Sequence, residues 1–143
     1  MLGILYDIHG NIPALGRVLD EAAVLGVDRW LLGGDYGTPS PWPEETIARL
    51  RELPDATWIR GNGERWLREP PLDRPEVMES YKVFAGSYPE ELVDWLYALP
   101  AQAELDGIDE GAFREAAEGA KENCPVSQAL KGNVEITLDA ALA

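Results

Sequence analysis

Short apolar runs alternate with helical patterns over the first sixty residues. Three apolar runs predict strands: Leu2–Tyr6, Asp28–Leu32 and Ala56–Ile59. Two stretches with apolar residues at helical spacing lie between them: Ile12–Leu25 and Pro43–Leu53. The resulting β-α-β-α-β order predicts a parallel sheet with right-handed crossovers, and so an α/β fold. Because Leu2–Tyr6 has no polar interruption, it is expected to be a central strand covered on both faces.

The pattern changes after Glu64. A proline-rich linker or excursion occupies 69–75, and Ser87 to Glu90 resembles a capping box with proline at the first helical position. The later patterns predict five more elements: helices at Glu76–Ala85, Pro89–Leu99 and Asp109–Asn123, and strands at Gln102–Leu105 and Val134–Leu138. The sheet is thus expected to be followed by helices and then by a C-terminal strand-helix-strand.

Length and composition indicate a soluble globular protein. The chain has 143 residues, of which 45% are hydrophobic, and no apolar run approaches the roughly 18 residues of a membrane helix. The N-terminus lacks the pattern of a secretory signal, and one cysteine cannot form an internal disulfide. A cytoplasmic protein that does not contact membranes is therefore expected.

The net charge of −14 limits the choice of partner. With 26 acidic against 12 basic residues, the surface is not expected to bind a nucleic-acid backbone. A small phosphorylated substrate could bind only where cations reverse the local field. A bound metal ion, or arginines such as Arg60 and Arg65, could do so.

Polar residues follow each of the first three predicted strands. Asp7 and His9 follow the first strand, Asp35 the second and Asn62 the third, so strand alignment would bring them to one sheet edge. Two carboxylates, an imidazole and an amide form a ligand set suited to a divalent metal such as Mn2+, Fe2+ or Zn2+. Each residue alone would more often cap a helix or stabilise a turn, but the ordered set favours a metal site.

The same motifs resemble those of the calcineurin-like metallophosphoesterase superfamily, most closely its small bacterial phosphodiesterase branch. The resemblance covers residues 1 to about 100 and rests on three stretches: Leu5–Leu15, Gly33–Tyr36 and Trp58–Trp66. It implies one parallel-sheet half of an α/β sandwich with a two-metal centre. It also implies that Asp7 and His9 bind the first ion, that Asp35 bridges, that Asn62 binds the second, and that Asp35 and Asn62 take part in catalysis.

The chain departs from this family at two points. Many members have a histidine after the asparagine, which protonates the leaving group, but this chain has Gly63. His9 is its only histidine, so the later histidine motifs that complete both metal sites are missing. One metal site is therefore expected and a second would be incomplete unless Glu64, solvent or another chain contributes. Phosphodiesterase activity is expected to be weak or absent.

The last 40 residues resemble a different family, the OsmC/Ohr hydroperoxide reductases. Three stretches carry this resemblance: Gly107–Asp109, Ala120–Leu130 and Val134–Asp139. It implies that Cys124 corresponds to the resolving cysteine, and it suggests two parts, 1–103 and 104–143. Two alternative interpretations follow, a thiol peroxidase-type protein that uses Cys124 and a non-catalytic chimeric or engineered fold. The C-terminal segment could also pair two chains in a homodimer.

Overall fold

Three parallel strands and the helices between them form the first part of the molecule. The computed structural model describes residues 1–38, 42–105, 109–123, 128, 131–133 and 137. The elements in chain order are β1 (Leu2–Leu5), α1 (Ile12–Leu25), β2 (Arg29–Leu32), α2 (Pro43–Arg51), β3 (Ala56–Trp58), α3 (Asn62–Trp66), α4 (Pro75–Ser87), α5 (Glu90–Ala98) and α6 (Glu110–Asn123). The chain divides into two compact units, Met1–Ala103 and Glu104–Ala143.

The sheet has the order β1-β2-β3, and both neighbouring pairs are parallel. Leu5 lies beside Leu32, and Leu32 lies beside Trp58. The predicted β-α-β-α-β unit and the α/β class are confirmed. Since the strands are parallel and in register, their carboxyl ends meet at one edge of the sheet, where the loops of interest begin.

Helix α1 begins and ends at residues that match its boundaries in the sequence. Asn11 accepts a hydrogen bond from the N–H of Ala14 at 3.1 Å, which satisfies one free donor of the first turn. Gly26 ends the helix with φ +75°, a left-handed conformation that glycine adopts without steric cost. Leu15, Leu19 and Ala22 are buried, so one face of the helix packs into the core.

The core lies on the helix-covered face of the sheet. Two successive right-handed crossovers in the same direction put α1 and α2 on the same face. That face carries Trp30 and Leu32, which are buried with Ile47 and Leu50 of α2. On the edge strand β3, the Trp58 ring packs edge-on against Trp95 of α5, with ring centroids 5.1 Å apart.

The opposite face explains one wrong expectation about β1. Among the described residues β1 pairs only with β2, so it is an edge strand and not a central one. Ile4 and Tyr6 are 47% and 51% exposed, whereas Leu5 packs against the core. The apolar run Leu2–Tyr6 therefore does not lie in a strand covered on both faces, because α1 and α2 lie on the same face of the sheet.

Three other predictions concern residues after β3, of which two are wrong and one lies almost entirely outside the described residues. The capping box is wrong, because Pro89 precedes α5 without a side-chain cap and the Ser87 hydroxyl instead donates to the carbonyl of Phe84 at 2.7 Å. The strand at Gln102–Leu105 is wrong, since these residues have irregular backbone and no strand pairs with them in the described structure. The strand at Val134–Leu138 lies outside the described residues, apart from Thr137.

The second unit contains α6, the helix expected from Asp109 onward. Its N-terminus matches the prediction, because the Asp109 carboxylate accepts the N–H of Ala112 at 2.9 Å. In the part of the chain that the structure describes, none of the helices has the length and apolar character needed to cross a bilayer.

The Tyr36 hydroxyl ties β2 to β3 at their carboxyl ends. It is fully buried and lies 2.6 Å from both the Leu32 and the Ile59 carbonyl oxygens. Burial raises the pKa of Tyr36, so the hydroxyl stays a neutral donor. Tyr36→Phe keeps the ring but removes this donor, and we expect it to lower the free energy of unfolding by about 1–3 kcal/mol. Urea unfolding measures the loss, and an unchanged midpoint would contradict the assigned bond.

Candidate metal centre

The loops that follow β1 and β2 remain paired by backbone hydrogen bonds beyond the strands. The N–H of Asp7 donates to Gly34 at 3.3 Å, that of His9 to Asp35 at 2.9 Å, and that of Gly10 to Tyr36 at 2.8 Å. The first two motifs therefore run side by side. This pairing brings their side chains to one place.

Three of the predicted site residues converge there. Ligand atoms of Asp7, His9 and Asp35 all lie within 4.8 Å of one another, and the His9 Nε2 atom is 3.7 Å from an Asp7 carboxylate oxygen. Asp35 is only 8% exposed, whereas the Asp7 side chain is 70% exposed. The cluster is thus anchored on a buried carboxylate and opens to solvent at Asp7.

All three residues have a left-handed backbone. Their φ angles are +51° for Asp7, +47° for His9 and +54° for Asp35. Such a conformation costs a residue other than glycine roughly 1–2 kcal/mol, and residues held in it are concentrated at functional sites. Among the described residues other than glycine, a fourth with positive φ, Asp55, lies at the other end of the sheet, just before β3. Three strained residues in one cluster therefore support a binding role for this loop pair.

The His9 ring is oriented through its other nitrogen. Its Nδ1 atom contacts the carbonyl oxygen of Thr38, so Nδ1 carries the proton and Nε2 has a lone pair available for a metal. Thr38 is itself buried, and its side chain lies near the Tyr81 hydroxyl of α4. The residue that orients the imidazole is therefore next to an element beyond the first three strands.

The electrostatic surroundings of Asp35 favour exchange of a proton for a cation. Burial raises its pKa, while the Gly63 N–H, 2.6 Å from Oδ1, and His9 oppose the shift. Asp7 raises the pKa further because two carboxylates repel each other. A divalent ion would relieve both the burial cost and this repulsion.

This raised pKa predicts a pH-dependent difference between wild type and Asp35→Asn. Below its ordinary value of 3.8, Asp35 is protonated in both folded and unfolded states. Between that value and the raised folded value, only the folded protein keeps the proton, so wild-type stability falls as pH rises through this window. Asparagine does not titrate.

Urea unfolding in EDTA at a series of pH values measures the difference. We expect the stability of wild type relative to Asp35→Asn to be greatest below pH 3.8, to decline through the folded pKa, and to stay level above it. A difference that grew with rising pH would contradict the assigned environment of Asp35.

The third motif packs its backbone against Asp35. Asn62 is the first residue of α3, and Gly63 directly after it donates to the Asp35 carboxylate. A Cβ atom on Gly61 would lie 2.4 Å from the same carboxylate oxygen. The structure thus puts the Asn62 backbone beside the cluster, and the part of its amide in binding stays a prediction.

Two other residues differ from what the sequence indicated. Arg60, considered as an anion-binding cation, donates to the Tyr97 carbonyl at 2.6 Å and stacks over the Tyr97 ring at 4.8 Å. Its guanidinium is therefore already engaged. Glu64, considered as an extra ligand, is buried with both oxygens bonded to backbone N–H groups.

Cys124 lies outside the described residues, so its thiol role stays a prediction.

An α/β fold with carboxylates and an imidazole at the carboxyl ends of parallel strands is typical of a protein that binds a ligand or a metal ion at this edge of the sheet. A family model for calcineurin-like phosphoesterases matches residues 4–128, and the chain belongs to this family. The match continues past residue 103 into the tail. The comparisons give no support to an OsmC/Ohr tail or to a chimeric origin.

A solved relative agrees with this assignment. The chain is similar to a metallophosphoesterase from Sphaerobacter thermophilus, with 26% identity and a TM-score of 0.57 over 74% of this chain. That alignment covers 43% of the other chain, so this protein spans less than half of the relative's length. No curated protein matches the sequence.

Proposed function

We propose that this protein is a metal-dependent phosphoesterase of the phosphodiesterase type, with weak activity, that binds one divalent cation through Asp7, His9 and Asp35. The observation that carries the proposal is the convergence of three ligand atoms within 4.8 Å of one another. Family membership supports phosphoester chemistry, because the matched family is that of the calcineurin-like phosphoesterases.

The donor set fits such a cation. Two carboxylate ligands offset the ion's two positive charges, and a neutral imidazole adds a nitrogen donor, a combination suited to Mn2+, Fe2+ or Zn2+. The buried Asp35 fixes one side of the site, and the exposed Asp7 leaves the other side open for exchange and substrate entry. When bound, the cation would polarise a phosphoryl oxygen and lower the pKa of a water ligand.

A second ion has few ligands available. Asp35 could share its carboxylate and Asn62 could add an amide oxygen, but Glu64 is not free to complete the set because its oxygens face backbone N–H groups. Two ligands are too few for tight binding. We therefore propose one occupied site and an incomplete second site.

The leaving group lacks an acid at the expected position. Gly63 stands where many family members have a histidine, and its N–H donates to Asp35, while the chain's only histidine is a proposed ligand. The leaving oxygen must then take its proton from solvent. Hydrolysis should be slow and confined to small phosphorylated substrates with good leaving groups, such as aryl phosphodiesters.

Cytoplasmic location and a homodimer through the tail stay predictions.

A turnover assay with bis(4-nitrophenyl) phosphate tests this function. We expect slow release of nitrophenolate in Mn2+, none in EDTA, and a much slower reaction with an alkyl phosphodiester. Asp35→Asn should remove the activity. A protein that hydrolyses both esters equally well, or that is unaffected by EDTA, would contradict the proposal.

A further inference from the structure

Glu64 is a buried carboxylate shared between two loops of the site. It is 1% exposed and lies in the short helix α3. One oxygen accepts the Tyr36 N–H at 2.9 Å, and the other accepts the Asp35 N–H at 2.8 Å and the Gly61 N–H at 2.9 Å. A single side chain therefore joins the loop after β2 to the loop after β3.

The two bonds to the β2 loop have a specific geometric effect. The N–H of Asp35 belongs to the peptide plane before its Cα atom, and the N–H of Tyr36 belongs to the plane after it. Because a hydrogen bond holds each plane, φ and ψ of Asp35 are restrained, and the direction of its Cα–Cβ bond is restrained with them. Glu64 thus helps to hold Asp35 at φ +54°, a left-handed conformation that is uncommon for residues other than glycine.

The residue beside Glu64 controls the side chain itself. The Gly63 N–H bonds to Asp35 Oδ1 at 2.6 Å, so the carboxylate is oriented from the same turn that holds its backbone. A Cβ atom at position 63 would come within 2.8 Å of this oxygen. A side chain at this position would therefore require the Asp35 carboxylate to shift.

We propose that Glu64 is a positioning residue, which sets the backbone geometry that aims the Asp35 carboxylate at the cation site. The inference rests on the proposed function for the identity of the ligand, and it adds a residue that does not touch the cation. An ionised Glu64 accepts all three N–H groups, whereas an amide in its place would turn an NH2 group toward at least one of them.

Mn2+ titration calorimetry on Glu64→Gln tests the proposal. We expect the affinity to fall about 10- to 100-fold, the range typical of residues that orient metal ligands, at a temperature where circular dichroism shows the variant folded. Thr46→Val is the matched control. Thr46 is fully buried and its hydroxyl donates to the Trp42 carbonyl at 2.7 Å at the start of α2, so this variant loses a buried bond but none of the Glu64 bonds, and it should keep wild-type affinity.

Each outcome has a separate meaning. Wild-type affinity in folded Glu64→Gln would overturn the inference, as would an equal loss in Thr46→Val. If the wild-type protein itself bound no Mn2+, the proposed function would fail instead. In that case, and also if Glu64→Gln does not fold, amide hydrogen exchange in the metal-free wild type tests whether Glu64 holds the backbone around Asp35. Slow exchange at Asp35, Tyr36 and Gly61 supports it, and unprotected exchange there overturns it.

Discussion

Replacing Asp35 with asparagine is expected to weaken Mn2+ binding by at least about 100-fold, beyond the range typical of residues that only orient ligands. Asparagine keeps an oxygen that can accept the Gly63 N–H, and it tolerates a left-handed backbone, so the fold should persist. The variant loses the negative charge and one ligand oxygen at the most buried position of the cluster. Calorimetric titration with Mn2+ measures the effect.

Asp55→Asn is the matched control for this substitution. Asp55 has the same left-handed backbone, with φ +47°, but it lies before β3 at the opposite end of the sheet and pairs with Arg29 at 3.0 Å. Its replacement should leave Mn2+ affinity unchanged. Equal losses of Mn2+ affinity in the two variants would mean that the negative charge of the whole surface, and not this cluster, attracts the ion.

Gly34→Ala is expected to destabilise the protein by roughly 2–5 kcal/mol, through left-handed strain and overpacking together. Gly34 has φ +102°, and an added Cβ would lie 2.3 Å from the nitrogen and 2.4 Å from the Cα of Gly61. The clash is with backbone, so no flexible side chain can move aside. Relief would require the loops after β2 and β3 to separate, and that separation would also break the Glu64 bonds.

Gly16→Ala provides the opposite case within the same chain. Gly16 lies in α1, and an added Cβ would meet no atom within 4 Å. Alanine should therefore stabilise the helix by about 0.5–1 kcal/mol. Urea unfolding of both variants measures the contrast, and a Gly34→Ala protein as stable as wild type would show that the two loops are not in contact.

The first half of the fold followed from local signals in the sequence. The α1 helix was predictable because Leu15, Leu19 and Ala22 repeat at helical spacing and Gly26 ends the pattern. The order of strands and helices then fixed a parallel sheet through general rules of handedness. Exposure of Ile4 was not predictable, since the same rules do not say what covers the second face.

The site was only partly accessible to the same reasoning. Strand ends and residue types indicated where Asp7, His9 and Asp35 would meet, and the family match supports their chemistry. The bonds of Glu64 join residues 28 and 29 positions apart, so no local pattern could indicate them. The five-residue helix α3 was missed as well, because it is too short to show a periodic pattern.

Paramagnetic broadening by Mn2+ tests the central claim most directly. In a 15N-labelled, metal-free sample, substoichiometric Mn2+ should first erase the amide signals of residues 7–9 and 35–36, while signals near Asp55 persist. Asp35→Asn should remove this selective loss. Broadening centred on another acidic surface, or spread evenly over the chain, would contradict a cation site formed by Asp7, His9 and Asp35.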